Sequence, residues 1–162
     1  MQELKKKLVN YLSEDARYTV ETLASMADAS INEVAAAVKE LENDGTILKY
    51  TAIINQEKVD FNDVEALIQV KVKPQKLKGF DAVAEEFCSF NEVRSLYLMN
   101  GDYDLTVIVK GKNLNEIARF IAERLSTIDG VQSVATHFIL KKYKIEGQTA
   151  IKIIEPERQL VL

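Results

Sequence analysis

The hydrophobic period of this chain changes near residue 60, and the change calls for two kinds of packing. Upstream, apolar residues recur at three- and four-residue spacing. Leu4, Leu8, Tyr11 and Leu12 form one set, Val20, Leu23 and Ala24 with Met26 or Ala27 a second, and Ile31, Val34, Val38 and Leu41 a third. Each set lies along one side of a helix. Downstream, Val64, Ala66, Ile68, Val70 and Val72 alternate with Glu65, Leu67, Gln69, Lys71 and Lys73. That is the period of a half-buried strand, which Pro74 ends. The expected class is α+β: a helical domain over residues 1–54, a polar linker over 55–63, a mixed domain over 64–145 and a tail over 146–162.

Local signals sharpen the first domain. Helix one is expected over residues 2–13 and is broken by Ser13-Glu-Asp-Ala-Arg17, after which Thr19 caps a second helix. Ser30 with Glu33 three residues on is a capping box, and Gly45 supplies a left-handed stop. Ile47, Tyr50, Ile53 and Ile54 then predict a strand over 47–54. Three short helices, the last two about three residues apart, match helix-turn-helix spacing. With the strand added, the pattern is that of a winged helix-turn-helix, whose third helix docks in a DNA major groove.

Charge complicates that expectation. Residues 1–60 carry seven Lys/Arg against eleven Asp/Glu, and residues 61–162 carry fourteen of each. A DNA-binding face is usually basic. Either Lys5, Lys6, Lys7, Arg17, Lys39, Lys49 and Lys58 gather on one face, or each copy binds weakly and gains from multivalency. The bare pattern leaves open a winged helix used for protein contact.

In the second domain Phe80, Val83, Ala84 and Phe87 predict a helix, and residues 93–99 and 105–109 predict strands around an Asn100-Gly-Asp-Tyr103 turn. Leu114, Ile117, Ala118, Ile121, Ala122 and Leu125 predict a second helix, stopped at Asp129-Gly130 before a strand over 131–140. The order β-α-β-β-α-β is the ferredoxin-like split βαβ, an antiparallel sheet with both helices on one face. Its other face is uncovered, and Leu105-Thr-Val-Ile-Val109 is apolar on both sides, so a second copy of the chain is expected there.

Several classes are excluded. One Cys and one His make neither an internal disulfide nor a usual zinc site. No apolar run approaches the ~20 residues of a membrane helix, and Met1-Gln-Glu-Leu-Lys-Lys-Lys7 has no signal-peptide core, so a cytoplasmic protein is expected. There is no Ser-His-Asp set and no glycine-rich phosphate loop. Asp102 and Asp104 read as turn residues rather than an acid–base pair. The chain is therefore expected to be no enzyme, with no catalytic residue, metal or cofactor. His137 reads as an ordinary edge or interface residue, and Cys88 as a small, partly buried one.

Order and spacing together resemble the Lrp/AsnC family of leucine-responsive and asparagine-responsive regulators over nearly the whole chain. In the first domain the resemblance rests on Ser30, Val34, Val38, Leu41-Glu42, Gly45 with Ile47, and Tyr50-Thr51. In the second it rests on Gly101-Asp-Tyr-Asp-Leu105, Leu114, Gly130-Val131, and Thr136 with Ile139-Leu-Lys-Lys-Tyr-Lys144. It implies a transcriptional regulator that binds double-stranded DNA, forms a homodimer or a further tetramer or octamer through its C-terminal sheets, and responds to a small-molecule effector, expected to be an amino acid. By the resemblance the effector sits between C-terminal domains of neighbouring subunits, against Asn100, Gly101, Asp102, Tyr103, Asp104 and Thr136.

Members of the family usually carry an arginine just before the valine that Val38 matches, whereas this chain reads Ala35-Ala-Ala37. A bidentate Arg–guanine contact, the commonest direct readout, is thus missing. The expected DNA-contact set is Ser30, Asn32, Glu33, Ala36, Ala37, Lys39 and Lys49, with Asn32 for adenine, Glu33 for cytosine and the alanines for thymine methyls. Two alternatives stand beside this reading: an oligomeric regulator without a ligand, and a small-molecule or protein-interaction module whose winged helix no longer binds DNA.

Overall fold

The computed structural model describes residues 1–59, 63–73 and 79–151. Pro74 and the tail past residue 151 lie outside the described residues. Two compact units emerge, Met1–Ile54 and Asn55–Leu162.

The first unit holds α1 (Gln2–Glu14), α2 (Val20–Ala27) and α3 (Ile31–Asn43). Thr19 Oγ1 accepts the Thr22 N–H at 3.3 Å and starts α2, and Asp28, in a left-handed conformation at φ +54°, ends it. Ser30 then opens α3 with a complete capping box: its Oγ accepts the Glu33 N–H at 3.3 Å, and its own N–H donates to Glu33 Oε2 at 3.0 Å. Gly45, at φ +76°, stops the helix where a side chain would be strained.

Leu8, Leu23, Ala24, Val34, Ala37 and Leu41 form the core of this unit. The α3 stripe differs from the expected one. Ile31 is 51% exposed, Val38 is half-buried, and Ala37 is inside at 1%. At about 100° per residue, Val34, Ala37 and Leu41 share an arc of about 60°, and Ile31 falls outside it. In α2, Ala27 rather than Met26 faces inward. The strand expected over residues 47–54 does not form. The other elements of this unit are helices, so the segment has no edge to pair with; Leu48, Tyr50, Ile53 and Ile54 are exposed.

The second unit holds β1 (Val64–Val72), α4 (Asp81–Cys88), β2 (Val93–Leu98), β3 (Leu105–Gly111), α5 (Leu114–Glu123) and β4 (Val131–Phe138). The sheet order is β2-β3-β1-β4, with every neighbouring pair antiparallel. The βαββαβ order expected from the sequence is therefore present. Val83, Phe87, Ile117 and Phe120 from the helices pack with Ala66, Ile68, Val70, Val72, Leu105, Val107 and Val109 from the sheet.

On α5 the exposed residues include Leu114, Ala118 and Ala122, while Phe120 is buried. The helix ends at Glu123, so Leu125 reaches the core from a following 3₁₀ turn, Leu125–Thr127. Cys88 is exposed rather than partly buried. A short hairpin, β5 (Lys144–Ile145) with β6 (Gln148–Thr149), turns through Glu146 and Gly147, both at positive φ. Residues 146–149 thus fold with the residues before them instead of belonging to a separate tail.

Cross-strand register defines the sheet face away from the helices. One row runs Ala135, Gln69, Thr106, Tyr97, and the next His137, Leu67, Ile108, Ser95. Leu67 and Ile108 are half-buried, and Thr106 is only 8% exposed. Among the described residues, no helix is long and apolar enough to cross a membrane.

Candidate DNA-reading helix and effector cavity

The cap that starts α3 also decides which of its polar groups can reach a partner. Glu33 Oε2 receives both the Ser30 N–H and the Ser30 hydroxyl, the latter at 2.6 Å. These bonds, the side-chain one foremost, hold the Glu33 carboxyl below the usual carboxylate range. A depressed folded-state pKa gives stability that is complete above the unfolded value and lost as pH falls through the folded one. Ser30→Ala removes the cap; the expected result is a loss of about 1 kcal/mol at neutral pH, with the Glu33 titration moving upward when followed by NMR.

Further along α3, Glu40 Oε2 is 2.9 Å from Lys5 Nζ, and Glu42 Oε1 accepts the Tyr50 hydroxyl at 2.9 Å. Lys5 is thereby tied to the C-terminal half of α3, where Asp44 lies 3.9 Å away. Lys7 lines a hollow with Glu3, Asp28 and Glu33, an acidic setting. Neither lysine belongs to a continuous basic face. Asn32, Ala36, Lys39 and Lys49 are exposed as the sequence reading requires. Ala37 is not: its methyl packs in the core and cannot touch a base. Ser30 and Glu33 are exposed but engaged with each other. The expected contact set left out Ala35, and the sequence put Ile31 in the buried stripe; the structure exposes both. The absence of Ile31 from the arc shared by Val34 and Leu41 was the available signal.

In the second unit, Met99 N–H donates to Asp104 O at 2.7 Å and Asp104 N–H to Val70 O at 3.0 Å, closing and anchoring the loop between β2 and β3. Asn100, Gly101, Asp102 and Tyr103 line a cavity of about 320 Å³ together with Gln69, Met99 and Thr106. Among the described residues, none accepts from the backbone N–H of residues 100–103. Unpartnered N–H donors on a loop suit a carboxylate, and the Asp102 carboxylate beside them suits an ammonium group.

Two expected members of this site fall elsewhere. Asp104 Oδ2 accepts the Val72 N–H at 2.8 Å, so its carboxylate stitches β1 to the loop end. Thr136 pairs in register with Ile68, on the helix-covered side of the sheet, and does not line the cavity. The resemblance put Thr136 in the effector set, but strand residues alternate between faces, and Thr136 shares the face of Ile68 rather than that of His137. His137 Nε2 lies 3.3 Å from Gln69 Oε1 on the open face.

A second, more polar cavity of about 180 Å³ is lined by Asn55, Gln56, Glu65 and residues 139–142. Its polar groups are engaged internally: Glu65 pairs with Lys142 and accepts from Gln56 Nε2 at 3.3 Å, Asp63 pairs with Lys110 at 2.7 Å, and Asn55 Nδ2 donates to Ala150 O at 2.7 Å.

The first unit is a helix-turn-helix and the second carries a cavity on a ferredoxin-like sheet, and comparison with known proteins gives the class, a DNA-binding transcriptional regulator. Residues 1–47 match the family described as winged helix-turn-helix DNA-binding, and residues 65–149 match the Lrp/AsnC ligand binding domain. The chain belongs to the Lrp/AsnC family of transcriptional regulators, which are DNA-binding proteins rather than enzymes. It is 45% identical over 147 residues to the uncharacterised HTH-type transcriptional regulator YugG of Bacillus subtilis, covering 90% of this chain and 89% of that one. It is 34% identical over 142 residues to the HTH-type transcriptional regulator LrpA of Pyrococcus abyssi, covering 88% and 98%. Among solved structures, a transcriptional regulator of Neisseria meningitidis in complex with L-Met is similar with a TM-score of 0.66, 24% identity and coverage of 90% and 93%. The leucine response regulatory protein of Mycobacterium tuberculosis gives 0.73, 24%, 93% and 100%. These two likenesses speak for the fold.

Proposed function

We propose that this regulator binds operator DNA through α3 as a homodimer and that an amino acid held by the loop over residues 100–103 tunes that binding. The cavity carries the effector half of the reading: unpartnered N–H groups, an adjacent carboxylate, and a Tyr103 and Gln69 that suit a zwitterion of modest size. The structure with L-Met among the similar folds supports the ligand class. The open sheet face supports the dimer, with Leu67 and Ile108 available to a second copy. Gln69 and Thr106 belong both to this face and to the cavity. A second copy seated there lies beside the ligand, so an amino acid that fits one arrangement better shifts the assembly toward it.

Gly101 gives a clean test. Its backbone is outside the left-handed region, and a Cβ there meets nothing within 4 Å. Gly101→Ala is thus expected to fold with an unchanged melting temperature and to occupy space the ligand needs. Calorimetry of the wild type against the twenty amino acids identifies the effector; the variant should bind that one at least about tenfold more weakly. Equal affinity would place the ligand elsewhere.

A further inference from the structure

We infer that α3 reads A·T base pairs, with Ile31 and Ala35 packed on thymine C5 methyls and Asn32 paired with adenine. The inference rests on the proposed docking of α3 in the major groove and adds what it recognises there. Counting about 100° per residue, Ala35, Lys39, Asn32 and Ala36 lie on the arc opposite Val34, Ala37 and Leu41, and Ile31 lies at its edge. All five are exposed.

The other polar side chains on the first three turns of this helix are already committed, and the exposed Asn43 lies at its last residue, about three turns from Ile31. Ser30 and Glu33 hold the cap, Glu40 is paired with Lys5, and Glu42 accepts from Tyr50. The first two turns of the outward arc therefore present two apolar side chains, an amide, and one more methyl from Ala36.

Each base offers a distinct edge in the major groove. Guanine calls for a donor pair from Arg or Lys, and cytosine for an acceptor from a carboxylate. Neither is available in these two turns, since Glu33 is spent on the cap and Lys39 lies beyond them. Thymine alone carries an apolar group on that edge, and adenine takes an Asn amide at N6 and N7. The N-terminal residues of a recognition helix are those that reach base edges. Ile31 is the first residue of α3, and its branched side chain is 51% exposed.

The test begins with selection of the tightest duplex from random DNA by the full chain, followed by replacement of individual thymidines with deoxyuridine. That change removes one methyl and nothing else. The expected result is a half-site with A·T pairs at its centre of contact. Each deoxyuridine at a contacted position should weaken wild-type binding about fourfold, the worth of one buried carbon. Ile31→Ala, at an exposed position, should fold normally by circular dichroism and lose the penalty at one or more positions. Ala35→Arg should shift the selected sequence toward guanine.

A selected site rich in G·C, or deoxyuridine penalties unchanged in Ile31→Ala, overturns the inference and leaves DNA binding by α3 standing. Failure to select any duplex over random DNA overturns both.

Discussion

Ile108→Asp should leave this regulator monomeric at micromolar concentration. Ile108 sits mid-strand on the open sheet face, opposite Leu67 on β1 and Ser95 on β2. In a single chain its outer side meets water, so an aspartate there costs the fold little. In a two-fold dimer the residue appears on both sides of the interface, and each copy buries an unpaired carboxylate. The penalty is several kcal/mol per ion, enough to weaken association about a thousandfold or more. Sedimentation equilibrium reads the mass directly. DNA affinity should fall with it, by about a hundredfold, because two helices no longer act on one duplex. A dimer that survives Ile108→Asp places the interface on another surface.

Leu8→Ala is expected to abolish DNA binding while leaving effector binding intact. Leu8 is fully buried between α1 and the other two helices of the first unit. Its truncation removes apolar contacts and opens a cavity, at a cost of about 2–5 kcal/mol. A unit the size of Met1–Ile54 has little stability to spare, so the loss unfolds most molecules near 37 °C. The second unit has its own core around Ile68, Val107 and Phe87, and calorimetric binding of the effector should persist. Leu114→Ala, at an exposed position on α5, is the matched control and should change neither activity. Hydrogen exchange of α3 amides separates unfolding from a local effect.

The order of elements in the second unit was legible because β1 alternates so regularly and because turn residues separate each element. The helix-turn-helix was legible from Thr19, Ser30 and Gly45, whose side-chain and backbone chemistry fixes where helices begin and end. Burial along the helices was less so. Ala37 and Phe120 sit inside while Ile31 and Leu114 sit outside, since hydrophobicity does not report how closely neighbouring helices approach. The strand over residues 47–54 failed for a different reason: composition favours extension, but a ladder needs a partner edge, and Met1–Ile54 offers none. At the cavity, residues 100–103 came from the resemblance and line it together because a loop between strands is contiguous in sequence. Gln69 and Thr106 could not, because they reach it only through strand register. Asp104 and Thr136 do not line this cavity, for the same cause: one carboxylate is drawn into the sheet and the other residue is turned to its far side.

The most direct test of the account is a fluorescence-anisotropy titration of the full chain on the DNA upstream of its own gene. A shuffled duplex of the same composition serves as reference, with both measured at two salt concentrations. Phosphate contacts make binding tighter at low salt on either duplex. Base readout by several copies of α3 predicts that the native duplex keeps a preference of about a hundredfold or more at the higher salt. Equal affinity for the two duplexes at both salt concentrations would contradict it.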